Sequence, residues 1–109
     1  MSGHYILDDN GEPKEEPDLL TWARWLESAD RHVAHREESG VRVSTVFLGL
    51  DLSFGDGGPR HLWETMILGG PNDSYQERYS TRQEAEAGHL VAEELAFGDV
   101  NYPLSRGDA

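Results

Sequence analysis

Cysteine is missing from this chain, lysine occurs once (Lys14), and no apolar run is long enough to cross a bilayer. Without thiols there are no disulfides, no thiolate zinc sites and no cysteine nucleophile. Nine basic residues against 21 acidic ones leave a net charge of −12. Such a field repels phosphate backbones, which proteins hold with Lys and Arg, so direct binding of DNA or RNA is not expected. The same field attracts basic surfaces, including those built to hold nucleic acid, and speeds encounter with them. Met1–Asn10 has no basic start followed by an apolar stretch, so no secretion signal is visible and a cytoplasmic location is expected.

At 109 residues the chain is long enough for one domain with its own core. That domain is expected over 1–98, with a loosely held tail over 99–109. Tyr5–Leu7 reads as a short edge strand. Asp8–Asp18 carries six acids, one lysine and two prolines and reads as a solvated loop. Pro17-Asp18 then opens a helix expected to run to about Arg36, with Asp18 capping it. Leu19, Trp22, Ala23, Leu26, Ala29 and Val33 fall on one face, broken only by Asp30. Ser39-Gly40 reads as the stop.

Two β-rich runs follow, Val41–Leu50 and His61–Gly69, around a tip with three glycines and one proline. They predict an antiparallel hairpin at the centre of a sheet. Tyr75–Tyr79 is a third, polar strand, expected at an edge. Thr81 with Glu84, or Ser80 with Gln83, has capping-box spacing for a helix to about Phe97, which Gly98 ends. Ala85, Gly88, His89, Ala92, Leu95 and Ala96 form its sheet-facing side; Gln83, Glu86, Glu93 and Glu94 are expected to face water. The expectation is therefore an α+β domain, a single antiparallel sheet of three to four strands with two helices on one face, ordered β-α-β-β-(β)-α. The α-β-β-β-α part matches the order in double-stranded RNA-binding domains, but the basic clusters of that function are missing.

Motifs that carry chemistry are few. Asp51, Asp56, His61 and Glu64 gather about the hairpin tip, where carboxylates and imidazoles can serve as acid and base or hold a divalent ion. Their spacing fits no metal motif, and Asp51–Gly58 lacks the closing Glu of a calcium loop. Phe54–Pro59 has glycines that let backbone amides approach a phosphate, but neither a P-loop lysine nor a helix start follows. No serine sits in a nucleophile turn. His89 reads as a core histidine, and His32 and His35 as part of a solvated helix face. Trp25 falls off the buried stripe beside charge, as an interface anchor does. No cofactor, metal or catalytic residue is assigned.

VSTVFLGLD at Val43–Asp51, WETMILGGP at Trp63–Pro71 and RYSTRQEAEAGH at Arg78–His89 resemble a family of small proteins encoded by bacteriophages and prophages. The segment TWARWLESADRHVA at Thr21–Ala34 is similar too. Family members often carry His directly after the Asp of the first string, where this chain has Leu52. The resemblance implies a phage or mobile-element origin and brings no catalytic residues. Together with the charge it gives the leading expectation: a non-enzymatic, anti-CRISPR-like inhibitor that mimics nucleic acid on the basic surface of a host nucleic-acid-binding protein or defence complex. The contact residues expected are Glu84, Glu86, Glu93, Glu94, Trp25, Asp8, Asp9, Glu15 and Glu16. The alternatives are an accessory or structural phage protein that self-associates, as a homodimer for instance, and a small enzyme or ligand-binding domain using Asp51, His61 and Glu64.

Overall fold

Residues 3–53 and 58–98 are described by the structure, a computed structural model. Asp56, the rest of the glycine-rich tip over 54–57 and the tail over 99–109 lie outside the described residues. The fold is α+β, with two helices and two antiparallel sheets. Strands β1 (Tyr5–Leu7) and β2 (Pro13–Glu15) pair into a small hairpin. Helix α1 (Leu19–Ser28) follows, then β3 (His32–Glu38), β4 (Val41–Phe47), β5 (Trp63–Leu68), β6 (Gln76–Tyr79) and helix α2 (Arg82–Phe97). The four later strands form one sheet in the order β3-β4-β5-β6, so the hairpin of β4 and β5 is central and β6 is an edge, as expected.

The first helix is shorter than its periodicity predicts. Asp18 caps it, accepting from the Leu20 amide at 3.2 Å and the Thr21 hydroxyl at 2.8 Å. It stops at Ser28, and Ala29 is already extended (φ −82°, ψ 144°). The stretch expected to continue the helix is instead strand β3. Ser39 and Gly40 have φ of 51° and 83°, and Glu38 pairs with Val41 across them. Two successive positive φ angles in a two-residue loop match the twist of a tight hairpin, so Ser39-Gly40 folds β3 onto β4 rather than ending a helix. His32, His35 and Arg36 are thus strand residues. The expected element order becomes β-β-α-β-β-β-β-α, and Tyr5–Leu7 joins β2 instead of the main sheet.

One face of the main sheet is covered. Ala85, His89 and Ala92 of α2 are buried against it, and the two alanines are short enough for the helix to lie close. Gly88 takes this furthest. A Cβ there would collide with the Tyr79 ring and hydroxyl, so only glycine lets α2 pass over the end of β6. Leu95, expected on this face, is exposed. Helix α1 does not lie along the sheet as expected; it leans on β1 and reaches the sheet end through Trp25. The Trp25 and Phe47 rings meet edge-on at 5.9 Å, and Phe47 meets Trp63 at 5.2 Å. Each such contact adds about 0.5–1.5 kcal/mol to the burial term. Trp22, placed on the buried stripe by its spacing, is half-buried and donates to the Gly49 carbonyl at 2.8 Å.

Thr81 and Gly98 close α2 as the sequence predicts. The Thr81 hydroxyl accepts from the Glu84 amide at 3.1 Å, and the Glu84 carboxylate accepts from the Ser80 amide at 3.0 Å. Gly98 adopts φ 78°, the left-handed cap that glycine adopts without strain.

Candidate functional site

The acids expected to meet a partner fall into three groups. Asp8 and Asp9 are exposed at the β1–β2 turn, where Asp8 accepts from the Asn10 and Glu12 amides at 2.8 and 3.0 Å. Those bonds, Glu12 first, hold its carboxyl below the usual 3.8, so it is charged at neutral pH. Glu15 is exposed on β2 and Glu16 is half-buried. Glu84, Glu86 and Glu94 are exposed on α2, Glu84 in its capping role and Glu86 paired with Arg82 at 3.0 Å. Trp25 is half-buried on Phe47, which places it at the edge of the core.

Tyr5 and Leu7 of β1 pack in one cluster with Ala85 of α2, and Pro13 of β2 shares a groove with Ser80. The small hairpin thus approaches the loop that leads into α2, with Arg60 lining the same groove, but neither of its strands packs directly on α2. Along the outer side of α2, Val91 and Leu95 are 55% and 48% exposed, one turn apart, with Glu94 beside them. Charge-based reading of the sequence passed over this apolar pair. The i, i+4 spacing of Val91 and Leu95 is the signal that was present.

Glu93 is the exception among the expected contacts. It is 3% exposed and sits in a buried polar network. Its Oε1 accepts from Arg36 Nη1 of β3 at 3.3 Å, and its Oε2 lies 3.0 Å from His89 Nε2. His89 Nδ1 lies 2.8 Å from the Thr45 hydroxyl, which is bonded to the Thr65 hydroxyl across the β4–β5 pair. Burial lowers the pKa of His89 below 6.5; the Glu93 carboxylate opposes that shift without cancelling it. A neutral imidazole carries one proton, and the partners assign it to Nε2, since a carboxylate against a guanidinium only accepts. Donation then runs one way, from Thr65 to Thr45 to His89 to Glu93, with Arg36 donating from the far end.

Thr45, His89 and Glu93 thus have the connectivity of a hydroxyl nucleophile, a base and its orienting acid. The surroundings do not suit that role. Thr45 has no exposed surface, and its hydroxyl is held between Thr65 and His89. A cavity of about 250 Å³, bounded by Val33, Ala34, Leu90 and Glu86, reaches His89 and Glu93 from the β3 side but not Thr45. The network is an internal tie between helix and sheet.

Asp51, His61 and Glu64 do not converge as one site. Asp51 Oδ1 accepts from the Ser53 and His61 amides at 2.9 and 3.2 Å, closing the base of the tip. Desolvation raises its pKa, and those bonds with the Ser53 hydroxyl more than offset it, leaving it below 3.8. Glu64 lies on the uncovered face of the sheet, bound by Gln76 at 2.7 Å and Arg78 at 2.9 Å. Among the described residues no three of His, Asp and Glu stand close enough to hold a metal ion, and no helix is long and apolar enough to cross a membrane. Compared with protein families, curated proteins and solved structures, the chain matches none.

Proposed function

We propose that this chain is an acidic binding protein of phage or mobile-element origin that occupies the basic, nucleic-acid-binding surface of a host defence complex. The carrying observation is the exposure of Asp8, Asp9, Glu15, Glu84, Glu86 and Glu94 in a chain with net charge −12. Asp8, Asp9, Glu84 and Glu86 are exposed carboxylates, and carboxylates meet Lys and Arg as phosphates do. Val91 and Leu95 supply an apolar contact on the same helix. Interfaces gain their binding energy from such desolvated anchors, while the surrounding charge sets encounter rate and partner choice.

The test is capture of partners from host lysate, with identification by mass spectrometry, followed by reconstitution. The expected partner is a nucleic-acid-binding subunit of a defence complex, and this chain is expected to compete with DNA or RNA for it. Affinity should fall steeply as salt rises, because the contact is between opposite charges near the surface. Recovery of virion proteins alone, or an affinity indifferent to salt, overturns the reading.

A further inference from the structure

The sheet has a second face, and no described element lies on it. In β4 and β5 the residues that alternate with the buried Val43, Thr45 and Ile67 are Arg42, Ser44, Val46, Glu64, Met66 and Leu68. Val46, Met66 and Leu68 alternate across the two central strands with Glu64, Ser44 and Arg42, and together with His32 and His35 they line an open trough of about 330 Å³. Val46, Met66 and Leu68 are half-buried even without a cover. Charge on this face is balanced. Arg42 stands opposite Glu37 in the β3–β4 register, and Arg78 binds Glu64 at 2.9 Å, so two bases meet two acids. In a chain with a net charge of −12, the surplus acid must therefore lie elsewhere.

We propose that two copies of this chain meet through this uncovered face, sheet against sheet. Copies that each carry −12 repel, and they can approach only through a surface without net charge. A twofold contact also requires a surface complementary to itself. Apolar side chains interleaved with equal numbers of Arg and Glu meet both conditions, because apolar meets apolar and each sign finds its opposite on the partner. Sheets packed this way stand about 10 Å apart, with inner side chains interdigitating. Four strands at about 4.8 Å and about six residues at about 3.3 Å give a footprint of roughly 19 by 20 Å. That is below the roughly 800 Å² per partner of a standard interface, so the dimer is a reversible one. It turns helix α2 of both copies outward and leaves two target-binding surfaces available at once.

The test is sedimentation equilibrium of the full chain over a wide concentration range, at low and high salt. A monomer–dimer equilibrium is expected that tightens as salt rises, because screening removes the repulsion between like-charged copies. Binding to the basic target is expected to weaken with salt, so failure of one reading is distinguishable from failure of the other. Met66→Glu with Leu68→Glu should leave a monomer with an unchanged circular dichroism spectrum, since both side chains lie outside the core. In the unsubstituted chain, the methyl NMR signals of Val46, Met66 and Leu68 should shift with concentration. A monomer at every concentration, a dimer that survives the double substitution, or methyl shifts confined to other residues overturns the proposal.

Discussion

The guanidinium of Arg36 on β3 meets the carboxylate of Glu93 on α2 at 3.3 Å, with both side chains almost wholly withdrawn from water. Arg36 also binds Glu38 at 2.6 Å and lies over the Phe97 ring at 4.3 Å. Removing Glu93 takes away the buried partner of Arg36 and leaves its guanidinium beside the half-exposed Glu38. Glu93→Ala should therefore cost about 3–5 kcal/mol of unfolding free energy in a urea titration. Replacing both with apolar residues, Arg36→Met with Glu93→Leu, should cost clearly less than the sum of the single changes. Additive losses would show that the two groups do not act as a pair.

Stability should fall on mild acidification, through His89. Its folded-state pKa is lowered by burial, so the unfolded chain binds the proton first. The stabilisation is therefore complete above 6.5 and is lost as pH falls below it. One group contributes a slope of at most about 1.4 kcal/mol per pH unit. The lowered carboxyls of Asp8 and Asp51 act in the same direction, but only as pH falls through 3.8. Urea midpoints taken from about pH 7 to about pH 5 separate the two windows. NMR of the His89 ring should show it taking up its proton below 6.5, and a ring that protonates without loss of stability would refute the assignment.

Gly88→Ala places a methyl group against Tyr79, whose ring is held by strand β6. Overpacking of this kind costs about 1–3 kcal/mol. Tyr79→Phe should not relieve it, because ring carbons as well as the hydroxyl lie in the way. Tyr79→Val in the Gly88→Ala background should recover part of the loss. Thermal melts of the four proteins decide it.

Reversing exposed acidic charges should separate binding from folding. Asp9 is exposed, and Glu86 has only an exposed partner, Arg82, an i,i+4 pair of a kind worth about 0.3–0.5 kcal/mol. Asp9→Lys with Glu86→Lys should cost less than about 1 kcal/mol of stability. Under the proposed function it should weaken target binding about tenfold or more and flatten its salt dependence. Unchanged affinity in this variant would place the contact elsewhere.

The central hairpin, the polar edge strand and the caps of α2 were legible because local signals and tertiary demands agree there. Alternation in Val41–Phe47 and Trp63–Leu68 fits a sheet buried on one side, and Thr81, Glu84 and Gly98 satisfy helix ends without help from afar. Helix α1 was overextended because Ala29 and Val33 also fit a 3.6-residue period. What decides that segment is pairing with β4, and its local trace is Ser39-Gly40, a dipeptide that suits a tight hairpin as well as a helix stop. Glu93 was misplaced for a related reason. Its charge suggests solvent, but it lies four residues after His89 and so shares that buried side. Its partner Arg36 comes from 57 residues away, and only the fold brings them together.

The Arg36–Glu93 pair also acts on strand register. A slip of β3 by one residue would turn every one of its side chains to the opposite face of the sheet. Arg36 would then point away from α2, and Glu93 would lose the guanidinium that balances its charge inside the protein. His35, from the neighbouring position, could not deliver the same forked donor. The buried ion pair thus penalises one specific misfolded arrangement more heavily than it rewards the native one. An edge strand with exposed residues over much of its length is thereby held to a single alignment by a group on the far helix.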